Sequence, residues 1–351
     1  MSATVPPPPS SSFASAATSP QRIAVIGAGI AGLVCAGQLQ ARGAQVTVFD
    51  KGTAPGGRAA TRVTEHGNFD HGAQYFTVQS HHFDSEVAAW SRAGVVRRWS
   101  GRVIAFSDRR VIEKAMSVDR YVGTPGMNGV ARHLASGLDV RLSTKIEAVS
   151  ASTGRRGLWH LHPTDGRELA VGGFDALVVA VPAPQAATLL KGLTDLAAAV
   201  QTVQWAPCWA AMLALARPSG VDFDGAFIND DPILGWVARD SAKPDRAAVQ
   251  GIAERWVLHA KPRWSQEYID MAPEQAGQWL LRAFSARIGR ALKPRALAAQ
   301  RWRFATPVNP LSQSFLWDAR KRIGLCGDWC NGPRVEGAYL SGLALADAIA
   351  V

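Results

Sequence analysis

Arg22–Asp50, RIAVIGAGIAGLVCAGQLQARGAQVTVFD, reads as a strand, a glycine turn, a helix and a second strand with an acid at its end. Ile23, Val25 and Ile26 form the short apolar run of a parallel strand buried on both faces. Gly27, Gly29 and Gly32 then make G-x-G-x-x-G. The first glycine permits the turn, the second lets a pyrophosphate approach backbone N–H groups at the start of the helix, and the third lets helix and strand pack closely. Leu33, Ala36 and Leu39 continue at helical spacing, Gly43 stops the helix, and Val46, Val48 and Phe49 form the second strand. Asp50 follows Gly27 by 23 positions, where a carboxylate binds a ribose hydroxyl. The unit therefore binds a dinucleotide, and the expected fold class is α/β with a Rossmann-type parallel sheet.

Which dinucleotide is decided further along. Lys51–Arg58, KGTAPGGR, adds a glycine pair and two cations directly after the unit. Extra backbone and guanidinium contacts to phosphate suit a larger cofactor such as FAD, although an ordinary surface turn would read the same way. Near the C-terminus, Arg322–Asp328 is a short apolar strand ending in Gly327-Asp328, and Gly337–Ile349 has helical character. Such a strand and helix suit the ribityl chain and pyrophosphate of FAD, with Asp328 accepting a ribityl hydroxyl proton. Only one G-x-G-x-x-G is present, so no second dinucleotide unit is expected to hold NAD(P)H as a standing co-substrate.

Seven segments occur in order: GAGIAGL, VFDKGTAPGGRAATR, FDHGAQYFTV, YVGTPGMNGVARHLA, VVAVPAPQA, RWRFATPV and LCGDWCNGPRVEGAYLSG. Together they resemble the bacterial renalase-type flavoproteins, within the wider monoamine-oxidase-like group. The first and last are shared by many flavin oxidases. Phe69–Thr77 and Gly327–Ala338 are more specific, and the likeness runs from about Arg22 to Ile349. It implies non-covalent FAD held by Gly27, Gly29, Ile30, Gly32, Asp50, Lys51, Gly57, Arg58, Ala73, Gln74, Ile146, Gly327, Asp328, Val335 and Glu336. It also implies that Ala73 and Gln74 line the flavin, that Tyr75, Phe76 and Thr77 face substrate, that Val335 packs on the flavin and that Arg334 points to substrate. Gln74 is expected on both cofactor and substrate.

Other readings of these residues stand beside those. Gly72–Thr77 also reads as a core strand, Arg334 as an internal ion pair with Glu336 or Asp328, and Trp209 as either substrate wall or core. Cys330 reads as a buried filler or a redox group. Pro333 before Arg334, and His71 before the Gly72–Thr77 loop, depart from the family pattern and bear on substrate preference.

The resemblance implies oxidation of the 2- and 6-dihydro isomers of NAD(P)H to NAD(P)⁺, with O₂ as acceptor and H₂O₂ as product. A guanidinium beside the flavin agrees, because it disfavours cationic amines and attracts phosphate-bearing dinucleotides. The competing readings are a monoamine or polyamine oxidase, a desaturase-type flavoprotein, and a non-catalytic FAD-binding sensor.

A chain of 351 residues is long for one domain. Residues 1–20 carry no charged side chain, are rich in Pro, Ser and Ala, and are expected to form a disordered tail. Residues 21–95, 126–192 and 306–351 are expected to form the FAD-binding domain. Residues 96–125 and 193–305 would build a discontinuous α+β substrate domain with a mixed sheet. Strands are expected over Val140–Val149, from Trp159 to a turn at Asp165-Gly166, and over Ala176–Val181, Trp205–Leu215 and Arg255–Ala260, with a helix over Pro273–Leu292.

The formal charge of +10 comes from arginine, since only eight of the 38 basic residues are lysine. Arg97-Arg98, Arg109-Arg110 and Arg155-Arg156 are scattered pairs, and no basic helix or RNA-binding signature is present, so no nucleic-acid partner is expected. No apolar run reaches the roughly 18–20 residues that span a bilayer. With no signal-peptide pattern, a cytoplasmic location is expected. The four cysteines and eight histidines show neither a disulfide framework nor metal-ligand spacing, so no metal is expected.

Overall fold

The computed structural model describes residues 20–108, 110–113, 118–152, 157–167, 169 and 172–351. Residues 1–19 of the expected tail, Arg109, and the pair Arg155-Arg156 lie outside the described residues.

The Arg22–Ile26 strand sits inside a six-stranded sheet, between Gln45–Phe49 and Ala176–Val179. Asp139–Arg141 lies beyond the first of these neighbours and Ile323–Leu325 beyond the second. All these pairs are parallel, while Leu316–Asp318 closes one edge antiparallel. Register explains the unbroken apolar run. Ile23 and Val25 join Leu33 and Leu39 of the helix Ile30–Ala41 on one face, while Ala24 and Ile26 join Leu177, Val179 and Ala186 on the other. A strand covered on both sides has no polar face to show.

A second sheet of seven strands carries Ala296–Pro307, Trp205–Leu215, Glu254–Ala260, Leu234–Arg239, Gly225–Ile228, Val103–Ser107 and Arg110–Glu113, in that spatial order. Its pairs are antiparallel except Gly225–Ile228 with Val103–Ser107, so the sheet is mixed, as expected. The helix Pro273–Arg287 covers one face and buries Leu280 and Phe284 among Trp209, Leu213, Trp256 and Leu258. The opposite face turns toward the cofactor sheet. Val96–Arg98 and Tyr121–Gly123 form a separate two-stranded ribbon, and Val96 and Val122 pack in the same core as the first helix.

Two local expectations need correction. Val140–Val149 is not one strand, because Ser143 takes φ +51° and divides it. The first part, Asp139–Arg141, pairs in the cofactor sheet, and Ile146–Ala151 pairs with Trp159–Pro163. Trp159–Pro163 runs into the turn at Asp165-Gly166, and beyond it Phe174 bridges back to Trp159. The helix begun at Pro273 ends at Arg287, short of Leu292, because Gly289 at φ +67° turns the chain out of the helix.

Candidate active site

The site begins at the glycine turn. Gly27 has φ +114°, and a Cβ there would stand 2.5 Å from the Ala180 carbonyl oxygen; one on Gly32 would stand 2.1 Å from the oxygen of Gly27. A Cβ on Gly29 would meet nothing within 4 Å, so the start of the helix opens onto free space. Asp50 is fixed beside it, accepting from the Ala28 N–H at 2.7 Å and from the Gly52 N–H at 2.6 Å. The Gly56 N–H donates to the Ala28 carbonyl and docks the basic loop on the turn. Open backbone donors, a held carboxylate and the Lys51 and Arg58 side chains fit the adenosine and pyrophosphate of FAD.

Arg58 and Asp328 were expected to serve phosphate and ribityl separately. In the structure they grip each other through two hydrogen bonds of 2.7 and 2.6 Å, and the guanidinium lies 5.0 Å from the Trp205 ring centroid. Each carboxylate oxygen has more than one lone pair, so Asp328 keeps acceptor capacity for a hydroxyl.

From these residues a continuous cavity of about 1610 Å³ runs to the seven-stranded sheet. It exceeds the roughly 300–1,000 Å³ of a single ligand site, which leaves room for cofactor and substrate together. The ceiling is set by cross-strand register. Trp302 stands beside Cys208, and His259 and Phe227 stand on either side of Trp236. All five line the cavity, with Gln300. Trp209, one residue from Cys208, points to the opposite face, where it is fully buried and its Nε1 donates to the Tyr268 carbonyl. The core reading of Trp209 is therefore the right one.

Gly72–Thr77 is not a strand; it makes one bridge, Phe76 to Tyr121. Ala73, Gln74, Tyr75, Phe76 and Thr77 all line the cavity. Tyr75 packs 5.5 Å from Trp236 and lies 5.5 Å from the Arg120 guanidinium. Phe76 is only 4% exposed, and its ring sits mainly among Phe83 and Tyr121. Gly27, Gly29, Ile30, Asp50, Lys51, Gly57, Arg58, Ile146, Gly327, Asp328 and Val335 also line it, whereas Gly32 packs beneath the turn. Glu336 is not on the lining. It is buried, and its carboxylate accepts from the N–H groups of Gln79 and Ser80 at 3.0 and 2.7 Å, so it anchors the chain after the Gly72–Thr77 loop. Arg334 lines the cavity, exposed, and makes no ion pair with Glu336 or Asp328 among the described residues.

Behind the loop lies a charge cluster that the sequence reading missed. Asp70, Asp240 and Lys243 are fully or almost fully buried. Lys243 Nζ reaches Asp240 at 2.7 Å, Asp70 at 3.2 Å and Gln74 Oε1 at 3.4 Å, and Arg246 reaches Asp70 at 2.5 Å. The Gln74 amide donates to the Asp70 and Gly72 carbonyls. Burial acts to raise the Asp70 pKa, but Lys243 and Arg246 outweigh it and bring it to about 2. Burial raises that of Asp240. D-S-A-K-P-D-R reads as a solvated loop, and nothing in its pattern distinguishes it from one.

The ceiling is electrically quiet. Burial lowers the pKa of both His71 and His259 to about 4, and raises that of Cys208 to about 12. The Cys330 thiol is likewise pushed up by burial, which fits a filler more than a redox group. The acids on the described lining are Asp50, Glu147 and Asp328. The lining also carries Arg62 and Arg334, neither in an ion pair among the described residues, and Arg301 and Arg303, both paired with Asp270. Among the described residues no group of three or more His, Cys, Asp or Glu could hold a metal ion, and no helix is long and apolar enough to cross a membrane.

Solved structures share this architecture. Cyclohexylamine oxidase from Brevibacterium oxydans IH-35A superposes with a TM-score of 0.69 at 11% identity, over 94% of this chain and 98% of its own. Putrescine oxidase bound to putrescine gives 0.67 at 12%, over 93% and 98%. An oxidoreductase from Methanosarcina mazei gives 0.64 at 14%, over 93% and 100%. At such identities the likeness is one of fold. Residues 25–87 match an NAD(P)-binding Rossmann-like domain. Residues 93–350 match the flavin containing amine oxidoreductases, and the chain belongs to that family.

Proposed function

We propose that this FAD-dependent oxidoreductase oxidises the 2- and 6-dihydro isomers of NAD(P)H to NAD(P)⁺. The observation that carries the reading is the cavity lining apart from Asp50, Glu147 and Asp328, which presents Arg62 and Arg334 without ion pairs, Arg301 and Arg303 paired with Asp270, and no further described acid. An alkylammonium substrate gains nothing from such a wall, whereas a dinucleotide gains charge-assisted hydrogen bonds to its phosphates. Bound FAD supplies a two-electron acceptor that O₂ can reoxidise with release of H₂O₂. The chain's own task is to orient and shield. Tyr75, Trp236 and Trp302 offer aromatic faces for a planar ring, and the neutral His71 and His259 place no fixed charge beside it. A dihydropyridine is already an activated hydride donor, so the absence of a strong base among the substrate-facing residues is compatible with this chemistry.

Amine oxidation is the second reading, because the family name points to it. The two part in one experiment. Borohydride-reduced NAD⁺, ordinary NADH and spermine are mixed anaerobically with the FAD-loaded protein and flavin absorbance is followed. Bleaching by the isomer mixture alone, with H₂O₂ on admitting air, is expected. Bleaching by spermine alone would replace this reading with amine oxidation.

A further inference from the structure

Of the side chains on the ceiling, His259 has a hydrogen-bonding state that its neighbours determine. Its Nε2 lies 3.3 Å from the carbonyl oxygen of His71, which also accepts from Trp302 Nε1 at 3.0 Å. A carbonyl only accepts, so Nε2 must carry the proton. In a neutral imidazole the other nitrogen is then a bare acceptor. Burial, reinforced by Lys243, keeps the ring neutral down to about pH 4. His259 lines the cavity, and its Nδ1 has no hydrogen bond among the described residues.

The ring stands next to Trp236 across one strand pair and next to Ala210 across the other, in the middle of the aromatic row. A planar ring lying under that row would bring its substituent toward an acceptor. Resting on the dihydronicotinamide reading above, we infer that His259 is a specificity-determining residue whose Nδ1 accepts a hydrogen bond from the carboxamide NH₂ of the substrate. A carboxylate in the same place has acceptors only, so it sets lone pairs against the Nδ1 lone pair and leaves both unpaired. The site therefore selects dihydronicotinamide over dihydronicotinate dinucleotides, even though Arg62 and Arg334 favour anions in general.

The test compares NAD⁺ and nicotinic acid adenine dinucleotide, each reduced with borohydride, in anaerobic flavin bleaching by the FAD-loaded enzyme. The amide form is expected to be favoured roughly 10- to 100-fold in bleaching rate over dissociation constant, the range for leaving a buried polar group unpaired. His259→Leu is expected to lose most of that preference by slowing the amide. His259→Asn, whose side-chain oxygen can stand near the place of Nδ1, is expected to keep most of it. Equal bleaching of the wild-type enzyme by both dinucleotides overturns the role of His259 while leaving the dihydronicotinamide reading intact. A wild-type preference that survives unchanged in His259→Leu overturns it too. Bleaching by neither dinucleotide overturns the underlying reading itself. Equal wild-type rates overturn the role even where a variant fails to fold, and His259→Asn gives a second variant on which a wild-type preference is checked.

Discussion

Arg334 is exposed and free of any ion pair among the described residues, so replacing it removes charge from the cavity without taking a partner from a buried group. Arg334→Gln is expected to weaken the dihydronicotinamide substrate roughly tenfold, about 1.4 kcal/mol, as one charge-assisted contact is lost. FAD content and the unfolding midpoint should stay as in the wild type. Anaerobic bleaching titrations give the first quantity, and flavin absorbance with a thermal scan gives the others. A fall in FAD content would instead make Arg334 part of the cofactor site. At this scale the glycine turn was legible, because Gly27, Gly29 and Asp50 follow from the geometry of one turn and one strand end. The pairing of Arg58 with Asp328 was not, since the two are 270 positions apart and each has a plausible separate role.

The Trp205–Leu215 strand shows why an element can be found while its facing stays open. It is covered by the helix Pro273–Arg287 on one side and faces the cofactor sheet on the other, so it has no polar alternation from which to count. Trp209 is the more conspicuous residue, but register turns Cys208 to the cavity. Trp209→Ala should therefore cost about 3–5 kcal/mol of stability, as for other buried aromatics, measured by urea unfolding. Substrate affinity of the folded fraction should be unchanged. Cys208→Phe should do the reverse, slowing flavin bleaching at least tenfold with little change in FAD content, because the added ring enters the cavity. Loss of substrate binding in Trp209→Ala alone would put the facing the other way. The split of Val140–Val149 has a related cause. Alternation persists through Ser143, and only pairing with two different partners reveals the break.

Across the whole molecule, buried charge ties Asp70 and Gln74 to the segment Asp240–Arg246 at the end of a strand of the seven-stranded sheet, and buried ionisable groups govern how the protein answers acid. His71 and His259 have an ordinary value of 6.5 and are held at about 4 in the fold. Between those values the unfolded chain binds more protons, so stability is complete above pH 6.5 and falls as pH drops toward 4. Each histidine accounts for up to roughly 3 kcal/mol of that fall. Asp70 acts lower: its carboxyl, ordinarily at 3.8 and held at about 2, contributes stability above pH 4 that is lost on descending to 2. Urea midpoints should thus decline in two stages, and His71→Phe should flatten the upper one. Removing a cation from the cluster tests the tie itself. Lys243→Met leaves Asp240 without its 2.7 Å partner and Asp70 with Arg246 as its remaining cation, and should cost about 3–5 kcal/mol. Adding Asp240→Asn removes the stranded charge, so the double variant should recover a substantial part of that loss. The coupling is read from urea unfolding at pH 7.5 of the wild type, both single variants and the double. Simple additivity of the two substitutions would mean that Lys243 and Asp240 do not act as a pair, and the hold on the Gly72–Thr77 loop would then rest on Asp70 and Arg246.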